Sequence, residues 1–254
     1  MDQTILQQLR QLEQTKEIKI IYACESGSRS YGTHSDESDY DVKFIYCKSL
    51  KRYLSLTREP EIIDQNAIPL IEMHGWDIFK TLELFKRSNP SLYEWLFSPV
   101  IYCEDEDFLF ALREIAATSY SLRKISFHYL SLTNMNIKTL TNNQLGGIPL
   151  VKTLLQAARG TLSILYILEN KKLPPIKFLD LVGEVSLEAN DKELLYGLLE
   201  KKRAKTNLNN LKYDHLLSFL KREGSKWEEH IRKLPDKKMD VQILNELLWK
   251  QLGV

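Results

Sequence analysis

Cysteine and long apolar runs are both scarce in this chain. Its 254 residues include three cysteines, Cys24, Cys47 and Cys103, which form no Cys-x-x-Cys zinc or redox motif. Their number and spacing favour buried thiols in a reducing compartment. No apolar run approaches the roughly 20 residues of a membrane-spanning helix, and the polar, amphipathic first segment is not a signal peptide. We therefore expect a soluble cytoplasmic protein with no membrane partner, and the sequence leaves its oligomeric state open.

An excess of charge of either sign is also lacking. The chain has 35 basic and 34 acidic residues and a formal net charge of +1, so no overall field attracts nucleic acid or membrane. Binding of a polyanion would need a local patch. The run KKRAK at 201–205 is one candidate, although charge runs of this kind usually form solvated surface.

Strand-like patterns occur only before residue 104. The apolar runs IKIIYAC (18–24), DYDVKFIYC (39–47) and PLIEMHGW (69–76) predict strands. Helical spacing and capping residues predict the later helices, over 105–118, 121–134, 149–170, 175–182, 190–203, 212–222, 225–232 and 240–252. The sequence therefore predicts an α+β protein with one domain at 1–103 and a helical domain at 104–254.

The alternation in DYDVKFIYC places Asp39 and Asp41 on one face of a strand and apolar side chains on the other. Carboxylates at positions i and i+2 of a strand lie within about 7 Å of each other, and without a positive partner they repel. A divalent cation removes this repulsion, and Mg²⁺ prefers one or two carboxylates together with water and phosphate oxygens. The pair therefore predicts a magnesium site for a phosphate-bearing substrate.

A third carboxylate on a neighbouring strand would hold a second ion about 3.5–4 Å from the first, which suits in-line attack at phosphorus. Glu72 is the first candidate because it lies between Ile71 and Met73 on a predicted strand. Asp77 is the second candidate, although the helix that starts directly after it explains this residue as an N-cap. The sequence leaves both candidates open.

Gly27 and Ser28 follow the first predicted strand, where glycine lets backbone N–H groups approach phosphate and the hydroxyl adds a donor. This is not a Walker A loop, because the required Lys-Ser/Thr pair is missing. The specific combination is Gly-Ser, ten intervening residues, Asp-x-Asp, and an apolar-acid-apolar triplet on another strand. It resembles the nucleotidyltransferase superfamily with the DNA polymerase β-like fold. Residues 20–102 resemble, in particular, the YcgL-like family of RNA-ligase-associated polynucleotide nucleotidyltransferases.

The resemblance implies a mixed-sheet nucleotidyltransferase core flanked by helices and followed by a helical domain. By the superfamily pattern, Gly27 and Ser28 would bind the triphosphate. Asp39 and Asp41 would ligate two Mg²⁺ ions, for which Mn²⁺ can substitute, and Glu72 would be the third carboxylate. The implied partners are a nucleoside triphosphate and an RNA whose 3′ end is the acceptor, in RNA repair.

Two cations near the motif are candidates for nucleotide binding. Arg29 directly follows Gly-Ser and either contacts phosphate or pairs with Glu25 or Asp36. Lys43 stands where the resembled family more often has Arg, and His74 where it often has Asn. Lysine keeps the positive charge but loses bidentate recognition of phosphate.

Two further cations lie in the predicted helix 149–170. Lys152 and Arg159 are seven residues apart, so they share one stripe of the helix and lie about 10 Å from each other. Arg159 falls near the apolar face, where a cation needs an acid or a ligand phosphate. We predict that both residues bind the nucleotide, with an internal salt bridge as the alternative for Arg159.

The residues and the resemblance favour a Mg²⁺-dependent nucleotidyltransferase that moves a nucleoside monophosphate from an NTP to an acceptor hydroxyl, by resemblance an RNA 3′ end. Transfer to a protein or small-molecule hydroxyl is an alternative that the near-neutral charge mildly favours. A catalytically silent nucleotide- or RNA-binding module is a third hypothesis, but such a chain usually loses an acid of the metal site.

Overall fold

A computed structural model describes residues 1–142, 147–206, 210–224 and 227–254. The strands are β1 (Lys19–Ser26), β2 (Tyr40–Cys47), β3 (Ile62–Ile68), β4 (Ile71–Asp77) and β5 (Ile101–Glu104). The helices are α1 (Asp2–Lys16), α2 (Gly27–Ser30), α3 (Leu50–Tyr53), α4 (Ile78–Lys86), α5 (Pro90–Leu96), α6 (Glu106–Ser119), α7 (Leu122–Asn142), α8 (Gly147–Asn170), α9 (Phe178–Glu184), α10 (Ala189–Arg203), α11 (Asn210–Gly224), α12 (Trp227–Arg232) and α13 (Val241–Leu252).

The strands of the described chain form one mixed sheet in the order β3-β4-β2-β1-β5. β2 and β4 are parallel, and every other neighbouring pair is antiparallel. The strands predicted from the three apolar runs are confirmed as β1, β2 and β4. The sequence analysis does not predict β5, a four-residue edge strand in which Ile101 is exposed. The predicted fold class, a mixed-sheet core with flanking helices followed by a helical region, is confirmed.

The chain divides into two compact units. The first contains Met1–Ser30, Ser38–Tyr120 and Lys238–Val254, and the second contains Tyr31–Glu37 and Ser121–Lys237. The boundary predicted between residues 103 and 104 therefore falls inside the first unit.

Helices α6 and α13 account for this difference. α6 packs against α5, while α13 packs against α4 and α6. Lys250 of α13 also donates to Asp107 of α6 over 2.9 Å. Helical periodicity identifies these segments as helices but carries no information on which unit they join.

The alternating residues of β2 build the core of the first unit. Val42, Phe44 and Tyr46 are fully buried, and the apolar stripe of α1 packs on the same cluster. At Gly75 of β4 a side chain is excluded, because a Cβ would lie 2.1 Å from the Phe44 ring. Phe44 and Gly75 are register partners, so this close contact lies on the same β2–β4 pair that carries the acids near its N-terminal end.

Helices α7 and α8 are central to the second unit, and α9, α10 and α11 also pack against α8. Gly160 of α8 permits close approach to α7, since a Cβ there would lie 2.4 Å from the Thr133 hydroxyl. The predicted helix 149–170 is confirmed as α8. The segment between the predicted helices 121–134 and 149–170 includes 143–146, and the predicted helix 225–232 begins with 225–226; both of these short stretches lie outside the described residues. Across the described ranges, no helix is long and apolar enough to cross a membrane.

Candidate active site

The parallel pairing of β2 and β4 brings the predicted acids to one end of the sheet. Asp41 and Glu72 are register partners, each the second residue of its strand, and Asp39 immediately precedes β2. Neighbouring strands lie about 4.8 Å apart and register partners share a face, so one ligand can reach both carboxylates. Asp39 and Glu72 are exposed and Asp41 is half-buried. The acids are therefore close in the fold and open to solvent.

These carboxylates have the chemistry of a magnesium site without forming a preassembled cluster. Among the described residues, no group of three or more His, Cys, Asp or Glu side chains is arranged to hold a metal ion. The side chains of Asp39 and Glu72 also make no hydrogen bond or ion pair with the described part of the chain. Three hard oxygen donors at adjoining positions fit Mg²⁺ or Mn²⁺. The fit therefore rests on donor chemistry and on backbone register.

Gly27 is required by the position of Asp41. Its φ is +62°, and a Cβ built on it would lie 2.2 Å from the Asp41 Oδ2. Any side chain would thus collide with the carboxylate as well as strain the backbone. This reason for glycine is additional to the predicted approach of backbone N–H groups to phosphate. Ser28 follows in the four-residue helix α2, and its predicted contact with the triphosphate stays a prediction.

Glu25 is a site residue that the sequence analysis does not single out. It is 1% exposed, its Oε1 accepts a hydrogen bond from the Asp41 backbone N–H over 2.7 Å, and its Oε2 contacts the Tyr102 hydroxyl. Burial raises the pKa of the Glu25 carboxyl, while the hydrogen bond from Tyr102 opposes that shift. The available signal is an acid, Glu25, at the end of an apolar run and two residues before Gly27.

Arg29 contacts the backbone directly before β2. Its guanidinium lies 3.7 Å over the Tyr40 ring, and its Nη2 donates to the Ser38 carbonyl over 2.7 Å. Its Nε lies 3.3 Å from the carbonyls of Ser38 and Asp39. These hydrogen bonds go to backbone carbonyls and to neither of the predicted acids, although the charge of Arg29 opposes the rise that burial causes in the pKa of Glu25. Arg29 thereby fixes the backbone that carries Asp39, and its contact with phosphate stays a prediction.

A second row of polar side chains lies two positions further along the strands. Lys43 and His74 are register partners in β2 and β4, and Asp64 of β3 is the partner of His74. The Asp64 carboxylate contacts the His74 Nδ1 and so orients the ring. The ring also meets Trp76 and Trp95 edge to face, at 5.8 and 6.0 Å. Lys43 is thus one row from Asp41, and its role in nucleotide binding stays a prediction.

Asp77 lies at the opposite end of β4 from Glu72 and is 1% exposed. Its carboxylate caps α4 by accepting from the Phe79 N–H over 3.0 Å, and it accepts from the Tyr53 hydroxyl over 2.9 Å. The Lys48 Nζ lies 3.7 Å from it. Burial raises the pKa of the Asp77 carboxyl. Of the two candidates for the third carboxylate, only Glu72 lies in register with Asp41.

Arg159 and Lys152 of α8 occupy different environments in the second unit. Arg159 is 8% exposed, and its guanidinium lies 3.7 Å over the Tyr31 ring and 5.8 Å from the Tyr129 ring. Lys152 is exposed. Burial, followed by the charges of Lys152 and Lys205, lowers the pKa of Lys202. The structure thus groups Lys152 with cations of the KKRAK run, and its contact with a nucleotide stays a prediction, as does that of Arg159.

Comparison with known proteins identifies the family. Over residues 1–250 the chain matches the RlaP family, described as the RNA repair pathway DNA polymerase beta family. It is 34% identical over 262 residues to the uncharacterized protein YcgL of Bacillus subtilis (strain 168), with all of both chains covered. It is also similar to the crystal structure of a nucleotidyltransferase-like protein from Exiguobacterium sibiricum 255-15, at 15% identity and a TM-score of 0.33, covering 98% of this chain and 92% of that one. The first two similarities confirm the resemblance read from the sequence, and the chain belongs to the RNA repair pathway DNA polymerase beta family.

Proposed function

We propose that this chain is a Mg²⁺-dependent nucleotidyltransferase that transfers a nucleoside monophosphate from an NTP to the 3′-hydroxyl of an RNA. The observation that carries the proposal is the register of Asp41 with Glu72 in parallel strands, with Asp39 at the entry to the same strand. Membership of an RNA repair family supports RNA as the acceptor.

Asp39, Asp41 and Glu72 would hold the divalent cation. A cation bound there would lower the pKa of the attacking hydroxyl and neutralise charge on the leaving pyrophosphate. The acceptor oxygen attacks the α-phosphorus, the bond between that phosphorus and the α,β-bridging oxygen breaks, and pyrophosphate leaves. The hydroxyl proton passes to the exposed Glu72 carboxylate or to water.

The remaining residues of the motif would orient the triphosphate. The Ser28 hydroxyl can donate to a phosphate oxygen directly beside the position where Gly27 contacts Asp41. Lys43 supplies a positive charge one row along the sheet from Asp41. Arg29 acts through the backbone carbonyls of Ser38 and Asp39, so it would position an acid as well as add charge.

The second unit carries a cationic surface that suits a nucleic acid backbone. Lys152, Lys202 and Lys205 are close enough for the charges of the other two to lower the pKa of Lys202. Lys205 pairs with Glu37, whereas Lys152 is exposed; a phosphate chain would add negative charge beside these lysines, and binding that releases counterions weakens as salt rises. This patch supports a polynucleotide acceptor despite the formal net charge of +1.

The test is incorporation of label from each α-labelled NTP in the presence of Mg²⁺. Three acceptors are compared: an RNA with a free 3′-hydroxyl, the same RNA ending in a 3′-deoxynucleotide, and a mixed protein fraction. We expect label only in the first, because the proposal requires the 3′ oxygen as nucleophile. The affinity for the RNA should fall steeply between low and physiological salt.

Other outcomes would redirect the proposal. Label that enters protein would replace RNA with a protein hydroxyl as the acceptor. Binding of NTP with no transfer to any of the acceptors would favour a nucleotide-binding module over an enzyme.

A further inference from the structure

Glu25 and Tyr102 lie behind the acids on the neighbouring strands of the sheet. Glu25 is in β1 and Tyr102 in β5, the two strands that follow β2 in the sheet order. The Glu25 side chain is buried, and both of its carboxylate oxygens contact donors, namely the Asp41 N–H and the Tyr102 hydroxyl. A buried carboxylate between two protein donors is fixed in place.

The Glu25 side chain hydrogen-bonds directly to the backbone of Asp41. Ser26 is the register partner of Asp41 at the end of the β1–β2 ladder, and the Asp41 N–H donates to the Glu25 side chain over 2.7 Å. A buried side chain therefore fixes the backbone of Asp41 close to the start of β2. On its other side, the Asp41 Oδ2 lies so close to Gly27 that a Cβ there would be 2.2 Å away.

The Glu25 backbone is itself anchored to the segment before β5. Its N–H donates to the Val100 carbonyl over 2.9 Å, and its carbonyl accepts from the Ser98 hydroxyl over 2.6 Å. Ser98 is 3% exposed. Hydrogen bonds thus hold both the backbone of Glu25 and its carboxylate. We therefore expect the carboxylate to keep its position.

From this geometry we propose that Glu25, held by Tyr102, is the positioning residue that aims the Asp41 carboxylate at a divalent cation. The inference rests on the proposed metal site. It assigns Glu25 no direct contact with metal or nucleotide. Residues that orient a metal ligand in this way typically contribute roughly 10- to 100-fold to metal affinity.

The variants separate orientation from folding. Glu25→Gln keeps an oxygen that can accept from the Asp41 N–H. Glu25→Leu fills a similar volume but removes the acceptor, and Tyr102→Phe keeps the ring but removes one donor to Glu25. Glu104→Gln is the matched control, because it removes an exposed carboxylate from the same strand as Tyr102.

The readout is the dissociation constant for Mn²⁺, measured by calorimetry on the full chain with a non-hydrolysable NTP analogue present and with thermal unfolding as the folding control. Glu25→Leu should weaken Mn²⁺ binding roughly 10- to 100-fold, with smaller losses for Tyr102→Phe and Glu25→Gln. Glu104→Gln should bind as the unsubstituted protein does.

Unchanged Mn²⁺ affinity in folded Glu25→Leu and Tyr102→Phe proteins would overturn the positioning role. If Glu25→Leu does not fold, Tyr102→Phe decides alone. Loss of Mn²⁺ binding in Asp41→Asn, but in neither of those variants, would overturn only the role of Glu25. Absence of Mn²⁺ binding by the unsubstituted protein would overturn the proposed metal site together with this inference.

Discussion

The two ends of the β2–β4 pair contain acids in opposite circumstances. At one end, Asp39 and Glu72 are exposed, and their side chains have no hydrogen-bond or ion-pair partner in the described part of the chain. At the other end, Asp77 is 1% exposed, accepts hydrogen bonds from Phe79 and Tyr53, and lies 3.7 Å from the Lys48 Nζ. The same pair of strands therefore has exposed acids at one end and a buried acid at the other.

The difference separates acids available to a ligand from acids used by the fold. A buried carboxylate must be satisfied by protein donors, since leaving it without them costs several kcal/mol. An exposed carboxylate is satisfied by water and can exchange that water for a cation. On this argument we propose Glu72 as a metal ligand, whereas Asp77 caps α4 and accepts from Tyr53, although the two acids lie five positions apart on one strand.

Among single substitutions, the largest expected effect comes from replacing the acid at one end of β4 and comparing it with the acid at the other end. Glu72→Gln should lower nucleotide transfer roughly a hundredfold or more, because it removes a negative charge from the proposed metal site. Asp77→Asn should leave transfer nearly unchanged, since this side chain lies at the other end of the strand. Single-turnover rates with labelled NTP would measure both, and equal losses would contradict the assignment of Glu72.

Gly27 gives the next effect. Gly27→Ala places a Cβ 2.2 Å from the Asp41 Oδ2 and should lower transfer roughly a hundredfold, because a displacement of about 1 Å at a reacting centre has that consequence. Gly32→Ala is the control: its φ is also positive, at +68°, but nothing lies within 4 Å of the added Cβ. Similar losses in both variants would attribute the effect to backbone strain alone.

Substitution of Asp77, at the buried end of the β2–β4 pair, should lower the free energy of unfolding. Asp77→Ala removes the α4 cap and the acceptor for the Tyr53 hydroxyl, and we expect the free energy of unfolding to fall by about 2–4 kcal/mol. Glu72→Ala should change it by less than about 0.5 kcal/mol, as for other exposed side chains. Urea titrations followed by circular dichroism would measure both, and the reverse order would contradict the comparison.

The smallest effect is a pH dependence. The pKa of Asp77 is raised by burial, so between its ordinary value of about 4 and the folded value the native state binds more protons than the unfolded state. The free energy contributed by this group is therefore present at low pH and is lost as pH rises through that window. Asp77→Asn should remove this loss. The difference in the free energy of unfolding between the unsubstituted protein and Asp77→Asn should therefore vary with pH only between the unfolded and the folded pKa of Asp77. A constant difference from pH 4 to 7 would contradict the shift.

Local pattern was enough to predict the strands that carry the acids. The alternation in DYDVKFIYC places Val42, Phe44 and Tyr46 in the core and Asp41 on the other face, because side chains alternate along any strand. The capping role of Asp77 was also readable, since a side chain that caps a helix acts on residues next to it in sequence.

Contacts between residues far apart in the sequence could not be predicted from local pattern. The register of Asp41 with Glu72 joins residues about 30 positions apart, and strand periodicity carries no information on which strands pair. The contact of Glu25 with Tyr102 spans a still longer separation and depends on β5, which is too short to give a clear pattern. Arg159 next to Tyr31 is a similar case, because the apolar face predicted a need for a partner but could not name an aromatic ring.

The most direct test of the account compares label incorporation into a 3′-hydroxyl RNA by the unsubstituted protein and by the Asp39→Asn/Asp41→Asn variant, with Mg²⁺ and α-labelled NTP. The account predicts transfer by the first and a loss of roughly a thousandfold or more by the second, with the thermal unfolding midpoints of the two proteins equal. Equal rates of transfer by the two proteins would contradict the claim that the exposed end of the β2–β4 pair is the catalytic end.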